Sequence, residues 1–429
     1  MVSTFKSIEL RHWINLWVFV FSVTVLSAAG HGGQAAIVLL LTGLYVMFAK
    51  RSEIDNAPLN SQEKAFIGLV LIFWLIQLVG AFYQPSGYEY ETLKEKFKAL
   101  DYPMRWLLLI PVFLLFRRYL IDWRSVAVGI SLGAIFAAGI AHYQVYFLGI
   151  ARAFGASNHT IPFSELMVAV DLLLWMFMIY AWDRGHKVLS AFLLLASLAA
   201  FYGSLLSVTR GAWLAYALMI LVWVVYTIGK SFKNIKYLFT TPVLLRLLFV
   251  GLVFWGVSQT DQYKRIEART YWSINNFSKG GFAATDKARK ILFDDAIDVI
   301  KRYPFGVGTD NFDAIKVESP YMTKDGYRFS QAHNEILNVA VENGLQGITS
   351  LAALLLFAMY IFWKNLKSDN ELARVYAASG LMLMVSYTIF GQTQAVFSHH
   401  DTLIFFVFFL YLFFGQIQLL NRKQEKVFT

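Results

Sequence analysis

Runs of apolar residues close to the length of a bilayer crossing recur along nearly the whole chain, separated by short polar pieces. They fall at 13–29, 34–49, 65–82, 103–116, 125–148, 162–181, 188–206, 212–229, 244–259, 336–363, 372–391 and 402–419. A hydrocarbon layer about 30 Å thick takes roughly 20 such residues in a helix, and a helix satisfies its own backbone there, so each run predicts a transmembrane helix. The fourth run is short and contains Pro111, which predicts a span that is tilted, re-entrant or lengthened by the residues before it. The first run ends in small residues, as a signal peptide does, but further spans follow and it reads as a retained first helix. The whole pattern predicts an all-α polytopic membrane protein of about twelve transmembrane helices. It forms one membrane domain over 1–429, with a long polar helical insert at 260–335 between transmembrane helices 9 and 10.

Composition supports this reading and narrows the partners. Charged residues make up 15% of the 429 and hydrophobic ones 57%, whereas soluble domains carry about 25% charged residues. The formal net charge is +10, but the basic residues are scattered between apolar runs, which points to membrane lipids and phosphorylated lipids and away from nucleic acid. The absence of cysteine excludes disulfides, thiolate catalysis and cysteine-ligated metals.

Charge also orients the chain. With the N-terminus in the cytoplasm, 20 of the 38 Lys and Arg fall on cytoplasmic pieces, six on the short loops opposite, and 12 in the insert. That bias follows the positive-inside rule, from which long loops are exempt. The insert is therefore expected on the outer face, which for the inner (cytoplasmic) membrane of a bacterium is the periplasm. Nucleotide sugars and ATP are cytoplasmic, so chemistry on that side needs a substrate that arrives activated, such as a lipid-linked diphosphate. The chain has neither a Walker loop nor a dinucleotide-binding glycine motif, and no cofactor is expected.

Three outer-side features carry candidate chemistry, each with a plainer alternative. Ser207-Val-Thr-Arg-Gly-Ala-Trp213 is a turn between two apolar runs; Arg210 either snorkels to headgroups or presents a planar, permanently charged fork to a phosphate. From Thr285, a plausible N-cap, to Arg302, apolar residues at Ala288, Leu292, Ala296 and Val299 follow helical spacing. This segment is either an amphipathic helix lying on the membrane or one that turns Arg289 toward the bundle. Gly306 and Gly308 follow it and permit close backbone approach to a ligand. The third feature, from His333 to Gly347, carries His333, Asn334, Glu335, Asn338, Glu342 and Asn343 into the tenth span. A lone histidine there is ordinarily a cap or interface residue, yet so many polar groups in a membrane helix usually line a cavity. Asp294, Asp295 and Asp298, and the run Ser398-His-His-Asp401, have metal-ligand residue types but read as solvated surface, so no metal is expected.

These pieces together resemble the O-antigen ligase (WaaL) family and its superfamily of O-antigen polymerases and protein O-oligosaccharyltransferases. The matching motifs are Thr209-Arg-Gly-Ala-Trp213, Ala288-Arg289 through Pro304-Phe-Gly-Val-Gly308, and His333-Asn334 through Glu342-Asn-Gly-Leu-Gln-Gly347. The resemblance implies a C-type glycosyltransferase fold and inverting, metal-independent transfer of a glycan from undecaprenyl diphosphate. The acceptor in the ligases is the lipid A core oligosaccharide of lipopolysaccharide. It further implies that Arg210 and Arg289 hold the diphosphate and that His333 is the catalytic base. Arg265 and Arg269 are secondary diphosphate candidates, and Asn334 and Glu335 are supporting ones. A polymerase, a protein O-oligosaccharyltransferase, and a flippase or transporter for the same lipid remain open as alternatives.

Overall fold

A computed structural model describes residues 2–27, 31–49, 58–89, 92–218, 255, 258–278, 284–312 and 331–428, and among them the protein is helix and loop without strands. The helices are α1 (Val2–Ser27), α2 (His31–Ala49), α3 (Ser61–Phe82), α4 (Leu93–Ala99), α5 (Asp101–Leu108), α6 (Ile110–Phe116) and α7 (Trp123–Tyr146). They continue as α8 (Thr160–Asp183), α9 (Lys187–Leu206), α10 (Asp261–Ser278), α11 (Ala284–Arg302), α12 (Glu335–Asn365), α13 (Glu371–Phe390) and α14 (His400–Phe428). Among the described residues nine helices are long and apolar enough to cross a membrane, so the chain is a multi-pass membrane protein. The predicted runs at 212–229 and 244–259 lie largely outside the described residues, although 210–218 is helical.

The fourth run is a broken span. α4 and the stretch formed by α5 and α6 meet at 52°, and Pro111 near the start of α6 has no N–H to give a continuous ladder. α2 packs on α6, away from the bend, through Gly43, where a Cβ would lie 2.6 Å from the Pro111 carbonyl oxygen.

α14 is the axis of the bundle. Its 403–414 stretch is apolar around its whole circumference, as membrane spans are, and it is burial by the surrounding helices that makes it central. Phe405, Phe406, Phe408, Phe409, Tyr411, Phe413 and Phe414 are all fully buried. Phe66 of α3 stacks on Phe414 at 4.4 Å, and the Tyr411 hydroxyl donates to the Trp106 carbonyl at 2.8 Å, so its polar tip is satisfied inside the core. Elsewhere small residues set the helix spacing: a Cβ on Gly133 of α7 would stand 2.8 Å from the Val23 carbonyl of α1, the close approach on which membrane helices rely.

At the end expected in the cytoplasm a buried ion pair ties three helices. Arg117, just past α6, meets Glu63 of α3 through two bonds, 2.7 and 2.9 Å long, with both side chains at most 1% exposed. Arg422 of α14 donates to the Arg117 carbonyl at 2.5 Å. Arg117, counted above with the orienting charges, is thus committed to the protein interior.

At the opposite end the insert docks on α12. Leu292, Ala296 and Val299 of α11 form a small core with Tyr88, Val307, Phe312, Ala332 and Val341, so the apolar stripe faces protein rather than lying on the membrane. Ala284 is already helical, which places Thr285 inside the first turn of α11 and not at its cap. The docking depends on a break in α12 at Gly344, whose backbone (φ 62, ψ −159) is not helical. The break releases carbonyls that the 304–308 turn then takes up: Val307 N–H donates to Val341 and Gly308 N–H to Glu342, each at 2.9 Å. In exchange Leu345 N–H donates to the Pro304 carbonyl at 3.0 Å. Gly306 and Gly308 therefore admit another backbone, where a ligand was expected.

Candidate functional site

The ends of several helices meet around the loop 391–399, between α13 and α14. Glu335, the first residue of α12, fastens it twice: its N–H donates to the Gly391 carbonyl at 2.7 Å, and its Oε2 accepts from Phe397 N–H at 3.0 Å. Asn334 caps α12 by accepting from Leu337 N–H at 3.0 Å and donates to the Gln392 carbonyl at 3.4 Å. His333 precedes this cap with φ at +50, so it sits on the turn leading into α12 and not on a helical segment, as its motif had suggested. Its Nδ1 lies 2.5 Å from Oε1 of Gln394 in the same loop.

Both principal arginine elements reach this loop. Arg289 of α11 donates from Nη2 to the Thr393 carbonyl at 3.3 Å. Arg210 opens the helical stretch 210–218, and the next residue, Gly211, packs so closely on Thr393 that a Cβ would stand 2.5 Å from its hydroxyl oxygen. The turn before Arg210 is tight: α9 ends at Leu206 and Val208 takes a φ of +53, which a β-branched residue adopts only when held. Arg152 holds it, donating to the Ser207 carbonyl at 3.1 Å and to the Thr209 hydroxyl at 3.2 Å. Behind the turn Asp171 of α8 accepts from Ser197 and, at 2.6 Å, from Tyr216, which locks 210–218 to α8 and α9.

The secondary candidates are placed differently. Arg265 of α10 is exposed and donates to the Ala151 carbonyl at 3.3 Å, one residue from Arg152 and away from the 391–399 loop. Arg269 lies on α10, and its side chain is outside the described positions. Asp294 and Asp298 pair with Lys290 at 2.5 Å and Arg302 at 2.6 Å on the exposed face of α11. Asn338 and Asn343 serve the joint between elements: Asn338 accepts from Ala332 N–H at 3.1 Å, and Asn343 donates to Gln77 of α3 at 2.9 Å. Glu342, Asn343 and Gln346 line a cleft of about 630 Å³ against α3 and the 302–308 turn, and none of the candidate arginines nor His333 borders it.

The electrostatics suit an anion beside a neutral imidazole. Burial pushes the His333 pKa below its ordinary value against the opposing hydrogen bond to Gln394, and the charge of Arg289 and His159 lowers it further. His159, which caps α8 by accepting from Ile161 N–H at 3.2 Å, is likewise lowered by burial and by Arg152. His399 is driven down to about 4, chiefly by burial. The sequence motifs missed Gln394, Thr393, His159 and Arg152, and His399, read within Ser398-His-His-Asp401 as solvated surface, is instead part-buried in this cluster. A short polar run, Gly391-Gln-Thr-Gln394, is their local signal, and their partners lie tens of residues away. Glu165 of α8 was missed too: it is 1% exposed, has Glu335 as a charged neighbour, and neither carboxylate oxygen has a hydrogen-bond partner among the described residues.

Residues 195–352 match the sequence profile of the O-antigen ligase family. Arg210, Arg265, Arg269, Arg289 and His333 fall within that stretch, and the 391–399 loop falls beyond it. An uncharacterized protein of Haemophilus influenzae (strain ATCC 51907 / DSM 11121 / KW20 / Rd) is 24% identical over 405 residues, covering 93% of this chain and 96% of its own.

Proposed function

Because residues 195–352 of this multi-pass membrane protein carry the domain of the O-antigen ligase superfamily, we propose that it is an inverting, metal-independent glycan ligase with a twelve-span C-type glycosyltransferase fold. In this reading it works at the periplasmic face of the inner membrane and moves O-antigen polysaccharide from undecaprenyl diphosphate to the lipid A core oligosaccharide. The observation that carries the reading is the meeting of His333, Arg289 and the Arg210 turn on one loop.

Each group has a chemical task. A hydroxyl of the acceptor attacks the anomeric carbon from the face opposite the diphosphate. The new C–O bond forms as the bond to the diphosphate oxygen breaks, and that oxygen leaves with the electron pair. Arg210 and Arg289 hold the diphosphate and gain strength as its charge grows, which is the condition for lowering the barrier and not merely binding. Losing one such donor costs about 3–4 kcal/mol, or about 10²–10³ in rate. His333 takes the hydroxyl proton. An imidazole with an ordinary pKa of about 6.5 is far too weak to ionise a sugar hydroxyl beforehand, so the proton moves late, when bond formation has made the hydroxyl acidic. Arg265 and Arg269 on α10 are assigned a secondary part in drawing the diphosphate toward the site.

Reconstitution tests the reading. Purified protein in vesicles containing EDTA, given the undecaprenyl-diphosphate-linked glycan, is expected to glycosylate lipid A core and release undecaprenyl diphosphate. Product that appears only with Mg²⁺ or Mn²⁺ contradicts the metal-independent step. Transfer to a repeat-unit glycan or to a Ser/Thr peptide instead of lipid A core redirects the assignment to a polymerase or a protein ligase. Passage of the donor across the membrane without bond cleavage makes the protein a transporter.

A further inference from the structure

We infer that Gln394 is the positioning residue for His333: its side-chain oxygen holds the ring by Nδ1–H and so places the basic lone pair on Nε2. The inference rests on the proposed role of His333 as base.

The geometry is a chain of three side chains. His333 Nδ1 lies 2.5 Å from Gln394 Oε1, and Gln394 Nε2 lies 2.5 Å from His399 Nε2. The amide nitrogen of Gln331 also approaches His399 Nε2, at 3.2 Å. An amide has a fixed polarity, its oxygen accepting and its nitrogen donating. The closer amide N–H, that of Gln394, takes the single in-plane lone pair of His399 Nε2; the longer Gln331 contact leaves that side chain's buried oxygen without a partner among the described residues and does not decide the tautomer. With the NH₂ of Gln394 so engaged, its oxygen faces His333 and requires a proton on Nδ1. The basic site of His333 is thereby Nε2, since in a neutral imidazole the hydrogen bond made by one nitrogen decides the character of the other. A neutral His399 suits this arrangement, and its burial beside His159 and His333 keeps it so.

The backbone supports the same reading. His333 stands at φ +50, a left-handed conformation in which histidine is enriched over most residues, and this turn brings its ring to the 391–399 loop. The groups that bear on its charge come from three directions: Arg289 on α11, His159 at the cap of α8, and Gln394 on the 391–399 loop. The Arg289 guanidinium opposes protonation of the ring, as does any charge on His159, which is itself held toward the neutral form, and Gln394 offers Nδ1 an acceptor. Glu335 holds both ends of the same loop, so the orientation of Gln394 is itself fixed. The base is thus completed by a residue outside the stretch that matches the ligase family.

Two variants test this in the full chain, in vesicles with the lipid-linked donor and lipid A core. Gln394→Ala is expected to lower kcat about 10–100-fold, the scale on which loss of an outer partner of a working histidine acts, with KM for the donor little changed. In ¹⁵N-histidine solid-state NMR the His333 signals, assigned by their absence in His333→Ala, should move from the Nδ1–H toward the Nε2–H tautomer. Gln394→Glu keeps an acceptor at Nδ1 and adds a charge, and His399 can follow by moving its proton to Nε2. The acid limb of the kcat/KM profile should then rise by about one pH unit. Wild-type tautomer signals in Gln394→Ala, or an unmoved acid limb in Gln394→Glu while His333→Ala is inactive, overturn the inference and leave the base assignment standing. Full activity in His333→Ala removes the base assignment and this inference with it.

Discussion

His333 reaches the site by a left-handed turn, and its part-buried ring makes the pH behaviour of the protein predictable. Its pKa lies below the ordinary value because burial, Arg289 and His159 disfavour the charged form. A base must be neutral, so activity should rise with pH through an acid limb that lies below about 6.5, the free-histidine value, and stay level above it. A limb at or above that value contradicts the electrostatic account. Stability follows the same sign. His399 has a folded pKa near 4 and an unfolded one of about 6.5, so the unfolded chain binds more protons between those values. Its contribution is complete above the upper value and is lost as pH falls toward the lower, which thermal melts across that range would show. Local sequence could point to His333 through its motif. It could not point to Gln394, because the two residues are 61 positions apart and are brought together only by the packing of α12 against the 391–399 loop.

Between elements, one joint decides whether the site forms and another how firmly the bundle holds. The first is the exchange of backbone bonds between the 304–308 turn and the break in α12. At Gly344 (φ +62) a Cβ would lie 2.3 Å from the Pro304 carbonyl, and at Gly306 (φ +89) it would lie 2.4 Å from the Glu342 carbonyl. Left-handed backbone alone costs an alanine about 1–2 kcal/mol, and the clashes add to it. Gly344→Ala and Gly306→Ala should therefore release the insert, seen as faster proteolysis within it and a loss of transfer while the remaining helices melt near the wild-type temperature. Unchanged proteolysis counts against this joint. The second joint is the buried Glu63–Arg117 pair at the other end of the bundle. Glu63→Ala leaves a buried guanidinium uncompensated and should destabilise by about 3–5 kcal/mol, lowering the melting temperature in detergent with the site chemistry intact at low temperature. A melt within a degree of wild type contradicts the account. Both joints show where pattern reading stops. Hydropathy marks the runs, but neither the break at Gly344 nor the partner of Arg117 leaves a periodic trace, and the glycines at 306 and 308 admit backbone on one side while lining the cleft against α3 on the other.

Over the whole molecule, the apolar runs were legible because a bilayer imposes length and hydropathy on every crossing, but the central place of α14 was not, because central and lipid-facing spans are both apolar all round. The shape of the fourth crossing was foreseen only as an irregularity at Pro111, whereas the 52° bend falls at Leu100, before the apolar run begins. Orientation rests on charge bias and can be measured cleanly, because a chain with no cysteine gives no background in thiol labelling. Lys301→Cys on exposed α11 should react with an impermeant maleimide added to intact spheroplasts, and Asp369→Cys in the exposed turn between α12 and α13 should react only after permeabilisation. The reverse pattern would put the site on the cytoplasmic side, where its proposed donor is not presented. The central claim, that the groups gathered on the 391–399 loop form one transferase centre, is tested most directly by single-turnover transfer from a radiolabelled lipid-diphosphate glycan to lipid A core. Donor binding is measured in parallel for wild type, His333→Ala and Arg289→Ala. The account predicts that His333→Ala binds donor normally and transfers at least about 10²-fold more slowly, while Arg289→Ala loses both binding and rate. Transfer by His333→Ala at the wild-type rate would contradict it.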